Sequence, residues 1–235
     1  MKNALRILTA AVILSPFLSG CISGFDREAA ETRFEAVNID NSNQDISIIK
    51  TPLKVAVFGD METMSPPDTF EETWDWSRGD KQLMVSYLNN LEELGYISDY
   101  FVINDRPELS MQDISQLLME AEKQNADVLL TVRGIIQVNS YFNPAAILDL
   151  TILGACLFPG SNRDIMLMVR MNLWNVKDKS CILTVKGEGV KKISEPTFLI
   201  DTEGAVNSVK RDTLGKVLAE FKKRCRDIKP PKQLQ

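Results

Sequence analysis

Apolar positions along the chain change their spacing several times, and each change marks an element. Leu53-Lys54-Val55-Ala56-Val57-Phe58 is a short apolar run closed by Gly59-Asp60, the pattern of a buried strand. Between Lys81 and Leu94 the apolar residues Leu83, Met84, Tyr87, Leu88, Leu91 and Leu94 recur at helical spacing, and Gly95 ends the stripe. Tyr100-Phe101-Val102-Ile103 predicts a second strand. Ser110 and Asp113 stand at capping-box spacing ahead of a helical stripe of Ile114, Leu117, Leu118 and Ala121. A long third strand covers Ala126 to Val138.

Beyond it the pattern changes. Asn143 to Gly160 is densely apolar with no resolved period. It reads as a core segment or as an exposed apolar patch for a partner. Asp164–Val176 and Cys181–Val190 predict a hairpin turning at Lys177-Asp178-Lys179-Ser180. A last helix, Ala205–Cys225, stripes Val206, Val209, Leu214, Val217, Leu218, Phe221 and Cys225. The order β-α-β-α-β-β-β-α predicts one α/β domain over residues 51–228, with a mixed sheet and helices packed on at least one face. Residues 229–235 read as a disordered tail.

The N-terminus follows other rules. Lys2 and Arg6 precede an apolar stretch, Ile7–Leu14, then Phe17-Leu18 and the small pair Ser19-Gly20, with no acidic residue before Asp26. This is the layout of an export signal over residues 1–20, and the run is shorter than the about 20 residues a spanning helix needs. Leu18-Ser19-Gly20-Cys21 resembles the lipobox of bacterial lipoproteins. That resemblance implies cleavage between Gly20 and Cys21 and acylation of Cys21, which would attach the chain to a membrane. Ile22 stands where inner-membrane retention in enteric bacteria typically uses Asp. The resemblance thus implies the outer membrane, facing the periplasm. Residues 21–50 are polar and read as a tether that includes a helical turn over Arg27–Ala36. Such a flexible chain has a reach of about 30 Å.

The full chain carries a net charge of −5 and no histidine. Loss of Lys2 and Arg6 with the signal makes the mature chain more acidic, and it has no basic cluster. Nucleic-acid binding and recruitment by anionic lipid charge are therefore disfavoured. The absence of histidine removes Ser-His-Asp and Cys-His catalysis and imidazole-ligated zinc. No cofactor motif and no metal-ligand spacing stands out. Beyond Cys21, the thiols Cys156, Cys181 and Cys225 remain, and three allow at most one internal disulfide. Cys181 and Cys225 are the candidate pair, with burial as free thiols the alternative.

One loop has an unusual composition: Asp60, Glu62, Asp68, Glu71, Glu72, Asp75 and Asp80 lie with Trp74 and Trp76 between Gly59 and Lys81, opposed only by Arg78. It follows the end of the first strand, where open α/β sheets tend to bind ligands. Clustered oxygens suit hard cations, and indole faces attract cationic ligands. The alternative is a solvated acidic loop whose tryptophans pack on the domain edge.

Ala126-Asp127-Val128-Leu129-Leu130-Thr131, Leu150-Thr151-Ile152-Leu153-Gly154-Ala155, Phe158-Pro159-Gly160-Ser161-Asn162-Arg163-Asp164 and Leu173-Trp174-Asn175-Val176 together resemble the rhombotarget lipoproteins. More distantly, the element order is similar to the periplasmic domains of the curli secretion lipoprotein and of the TolB N-terminal region. The resemblance spans roughly residues 54–221. It implies a non-enzymatic envelope component that binds a protein partner, with a homo-oligomeric ring as one alternative. A carboxylate enzyme or cation-binding protein using the Asp60–Asp80 loop is another. The C-terminal Lys229-Pro-Pro-Lys-Gln-Leu-Gln235 lacks the apolar segment expected of rhomboid substrates. Asn143–Gly160 does not alternate as a barrel strand would.

Overall fold

In the computed structural model, residues 25–35, 51–64, 73–103, 113–142, 159–196 and 198–227 are described. They form helix α1 (Arg27–Glu35), strand β1 (Leu53–Met64), helix α2 (Arg78–Glu93), strand β2 (Ile97–Val102) and helix α3 (Ile114–Lys123). Strands β3 (Val128–Phe142), β4 (Ser161–Asn175) and β5 (Cys181–Glu195) and helix α4 (Thr202–Asp227) follow. The five strands make one sheet in the order β2-β1-β3-β4-β5. β1 is parallel to both its neighbours, whereas β3, β4 and β5 run antiparallel. The mixed α/β sheet is the one that the sequence pattern predicts.

Both faces of the sheet are covered, because strand side chains alternate between them. On one face, Val55, Val57, Leu130, Val132, Leu167, Val169 and Met171 pack against the apolar stripes of α2 and α4. Gly189 allows α4 to approach β5 closely: a Cβ there would lie 1.9 Å from Thr213 Oγ1. On the other face, α3 packs its Leu117, Leu118 and Ala121 against Ala56, Phe58, Leu129 and Trp174. Next to α3 on that face lies α1, with Ala30 and Phe34 against Met64, Ile135 and Met166.

Several boundaries differ from the sequence reading. Helix α2 starts three residues earlier than the stripe suggested, at a capping box. Ser77 Oγ accepts from Asp80 N–H, and the Asp80 carboxylate accepts from Ser77 N–H. The cap of α3 is Asp113, whose carboxylate accepts from Gln116 N–H, so Asp113 occupies the N-cap assigned to Ser110. β3, β4 and β5 are all longer than their apolar runs. Their outer ends pair with one another and need no buried face to continue the ladder.

Candidate functional site

The face shared by α3 and α1 is not uniformly apolar. Between the two helices the strands turn toward α1 a row of polar side chains: Asp60 and Glu62 from β1, Arg133 from β3 and Arg170 from β4. Arg133 and Arg170 are direct cross-strand partners, and only 5% and 7% of them are exposed. Two like charges side by side, taken out of water, need strong compensation. Helix α1 supplies it.

Arg133 donates to the backbone carbonyl of Arg33 at 3.1 Å, and Arg170 donates to that of Phe34 at 2.8 Å. These carbonyls lie in the last turn of α1, where the helix has unpaired acceptors and the negative end of its dipole. The Phe34 ring, 3% exposed, faces both guanidiniums, with its centre 5.8 Å from Arg133 and 4.8 Å from Arg170. Glu62 completes the clasp. Its carboxylate accepts from Arg133 at 2.8 Å and also pairs with Arg33 of the helix itself. At the other end of α1, Asp26 N–H donates to Gln137 Oε1 at 3.1 Å, and Arg27 pairs with Glu188 of β5 at 2.8 Å.

Electrostatics reflect this burial. Desolvation pulls the Arg170 guanidinium below its ordinary pKa, with Arg133 adding to the effect and Glu35 opposing it. An arginine starts high enough to stay charged. Burial pushes the Asp60 carboxyl above the usual range, although the neighbouring Arg133 pulls the other way. A cavity of about 240 Å³ opens beside the clasp, bounded by Glu31, Phe34, Met168, Arg170, Lys186 and Glu188.

The structure separates the acidic-loop residues that the sequence grouped. Asp60 and Glu62 lie on the α1 face with Arg133. Trp76 lies on the opposite face, over Gly134, where a Cβ would come within 2.9 Å of its ring, and its indole N–H donates to the Asp60 carbonyl at 2.9 Å. Trp74 packs beside the same core. Asp80 is buried against Lys210 of α4 at 3.2 Å, and the Lys210 ammonium also donates to the Asp75 carbonyl at 2.7 Å. Asp80 thus caps α2 and ties it to α4, while Glu62 serves the α1 face. Among the described residues no group of acidic or thiol ligands is placed to hold a metal ion. Asp68, Glu71 and Glu72 lie outside the described residues, as do Gly20, Cys21, Cys156 and residues 143–158.

The Cys181–Cys225 disulfide is not formed. Both thiols are free and buried, Cys181 in the cluster under α3 and Cys225 in the cluster under α4, with the sheet between them. Burial raises both thiols, that of Cys225 to about 12. The tether reading also changes. Residues 27–35 form a docked helix, so the polar stretch after Cys21 is not a free leash throughout.

Sequence reasoning missed Arg133 and Arg170. Each interrupts a long apolar strand, in Val132-Arg133-Gly134 and Val169-Arg170-Met171, and a basic residue inside a buried run was the available signal. Phe34 was masked by its polar surroundings.

No protein-family model and no curated protein sequence matches the chain. The rhombotarget resemblance therefore stands on the quoted residues alone. Solved structures with which the chain aligns include a putative neuraminyllactose-binding hemagglutinin homolog from Helicobacter pylori. That alignment has 12% identity, covers 74% of this chain and 86% of that one, and gives a TM-score of 0.41. The C-terminal domain of LpoB from Salmonella enterica aligns at 11% identity over 70% of this chain and 98% of its own, with a TM-score of 0.32. Lipoprotein GNA1162 from Neisseria meningitidis aligns at 10% identity over 73% and 99%, also with a TM-score of 0.32.

Proposed function

We propose that the chain is a lipid-anchored envelope lipoprotein of the outer membrane, facing the periplasm. In this reading its α/β domain serves as a non-enzymatic binding or assembly component. The observation that carries it is the lipobox-like Leu18-Ser19-Gly20-Cys21 standing five residues ahead of Asp26, where the chain locks onto the sheet. Three acyl chains on Cys21 would hold the protein firmly, since a single chain binds only marginally. Arg133, Arg170 and Glu62 hold that helix on the sheet. The anchor is thereby coupled to the domain within about 17 Å, the most that five extended residues can span.

In membrane fractionation, Cys21→Ala leaves the domain folded and moves it from the membrane to the soluble fraction. Retention of the variant on salt-washed membranes would refute the anchor. The binding role is tested by crosslinking in intact cells, which should recover the same envelope protein in repeated experiments. Repeated recovery of no specific partner would argue against that role.

A further inference from the structure

The direction of α1 says where a lipid on Cys21 would sit. Helix α1 lies over β3 and β4 with its C-terminal turn at Arg133 and Arg170 and its N-terminal end at Gln137. β3 runs from Arg133 through Gln137 to Phe142, so Asp26, bound at Gln137, lies on the Phe142 side of the clasp. Five strand residues separate Gln137 from Phe142, about 17 Å along the strand. Five residues also separate Asp26 from Cys21, with the same maximum span. The anchor can therefore reach the level of Phe142, and not the opposite end of the domain.

The three most exposed of the large apolar side chains among the described residues lie at that end, while Leu94, Val102 and Met119 lie elsewhere. Phe142 is 71% exposed and pairs in register with Ser161, which pairs with Glu195. Three and four residues beyond Glu195, in the connection to α4, come Phe198 and Leu199, 76% and 65% exposed. Farther from that end, exposed Val190 stands level with Gln137, and the Lys192 ammonium, level with Asn139, pairs with Asp164 at 3.3 Å. Exposed aromatic and aliphatic side chains of this size suit the boundary between headgroups and acyl chains.

We propose that this end, carrying Phe142, Phe198 and Leu199, is a membrane-seating tip that rests in the lipid surface to which Cys21 is attached. The tip rests on the lipoprotein reading, because the anchor delivers it to the bilayer. The clasp around Phe34 then sets orientation as well as distance. The β4–β5 turn at Lys177–Ser180, at the far end of the sheet, points away from the membrane and is free for partners.

The test uses the full-length acylated protein in vesicles of phosphatidylethanolamine and phosphatidylglycerol, with and without brominated acyl chains, which quench indoles they touch. Three proteins are compared: wild type, Phe198→Trp and Lys177→Trp. The expected result is quenching of the emission added at position 198, with none of that added at position 177 and little change in wild type. Flotation with the vesicles but no quenching of Phe198→Trp, or equal quenching of both variants, overturns the tip and leaves the anchor intact. Failure to float overturns the anchor and the tip together. The unacylated chain supplies a further arm: a dimer in sedimentation that Phe198→Asp disperses would assign this surface to a second copy and overturn the lipid assignment.

Discussion

Replacing Phe34 by Ala removes the side chain on which both arginines of the clasp close. Truncating a buried Phe typically costs about 3–5 kcal/mol. Two guanidinium–ring contacts are also lost, worth about 0.5–1 kcal/mol each where partly exposed and more when desolvated. Against this, undocking α1 returns Arg133 and Arg170 to water and relieves the burial of two adjacent cations, so the lower part of the range applies. A loss of about 3 kcal/mol is a shift of more than a hundredfold between docked and undocked helix, at tenfold per 1.4 kcal/mol. The cost falls on α1 and not on the whole domain. The two larger core clusters, under α2 and α4 and under α3, contain no residue of α1. Hydrogen exchange in solution should therefore show faster exchange at residues 30–35 in Phe34→Ala, with β3 and β4 protected as in wild type. Unchanged protection of α1 would refute the clasp. Loss of protection throughout the sheet would show that α1 is part of the cooperative fold.

Three other outcomes follow from the same geometry. Lys210→Met leaves Asp80 buried without its ion pair and the Asp75 carbonyl without its donor. Denaturant unfolding should show a loss of about 3 kcal/mol, recovered in part by the added change Asp80→Asn. Asp60 has its carboxyl raised by burial, so the ionised form disfavours the fold. Its stabilising contribution is complete below the ordinary carboxylate pKa and is lost as pH rises through the folded value. Asp60→Asn should therefore stabilise the domain at pH 7, with the gain vanishing below about pH 4. Cys181 and Cys225 should both resist maleimide labelling in the native protein and react after denaturation without a reductant, as mapped by peptide mass. A crosslinked Cys181–Cys225 peptide from non-reduced protein would contradict their placement on opposite sides of the sheet.

The β-α-β-α-β-β-β-α order was legible because each element has an apolar period of its own. The stripe of α4 and the run Leu53–Phe58 needed no tertiary information. The outer ends of β3 and β5, beyond Val138 and Val190, were not legible: Lys191–Glu195 continue an edge strand whose side chains on one face are largely solvated, and their pairing depends on β4 alone. The clasp was hidden for a related reason. Arg27–Glu35 is a polar helix with two buried residues, Ala30 and Phe34, too few to make a stripe. Its binding site is built from residues about a hundred or more positions away, which only the folded sheet brings under it. The acidic loop is the converse case. Its residues are close in sequence, but strand alternation turns Asp60 and Glu62 to one face while Trp76 and Asp80 pack on the other.

Attachment of the domain to the membrane depends first on the chemistry at Cys21. Intact-mass and peptide mass spectrometry of the protein extracted from the outer membrane tests it most directly. The N-terminal peptide should begin at Cys21 and carry a diacylglyceryl thioether and an N-acyl chain. A peptide that begins elsewhere, or one that carries Cys21 unmodified, would contradict the anchor and the membrane-facing orientation built on it.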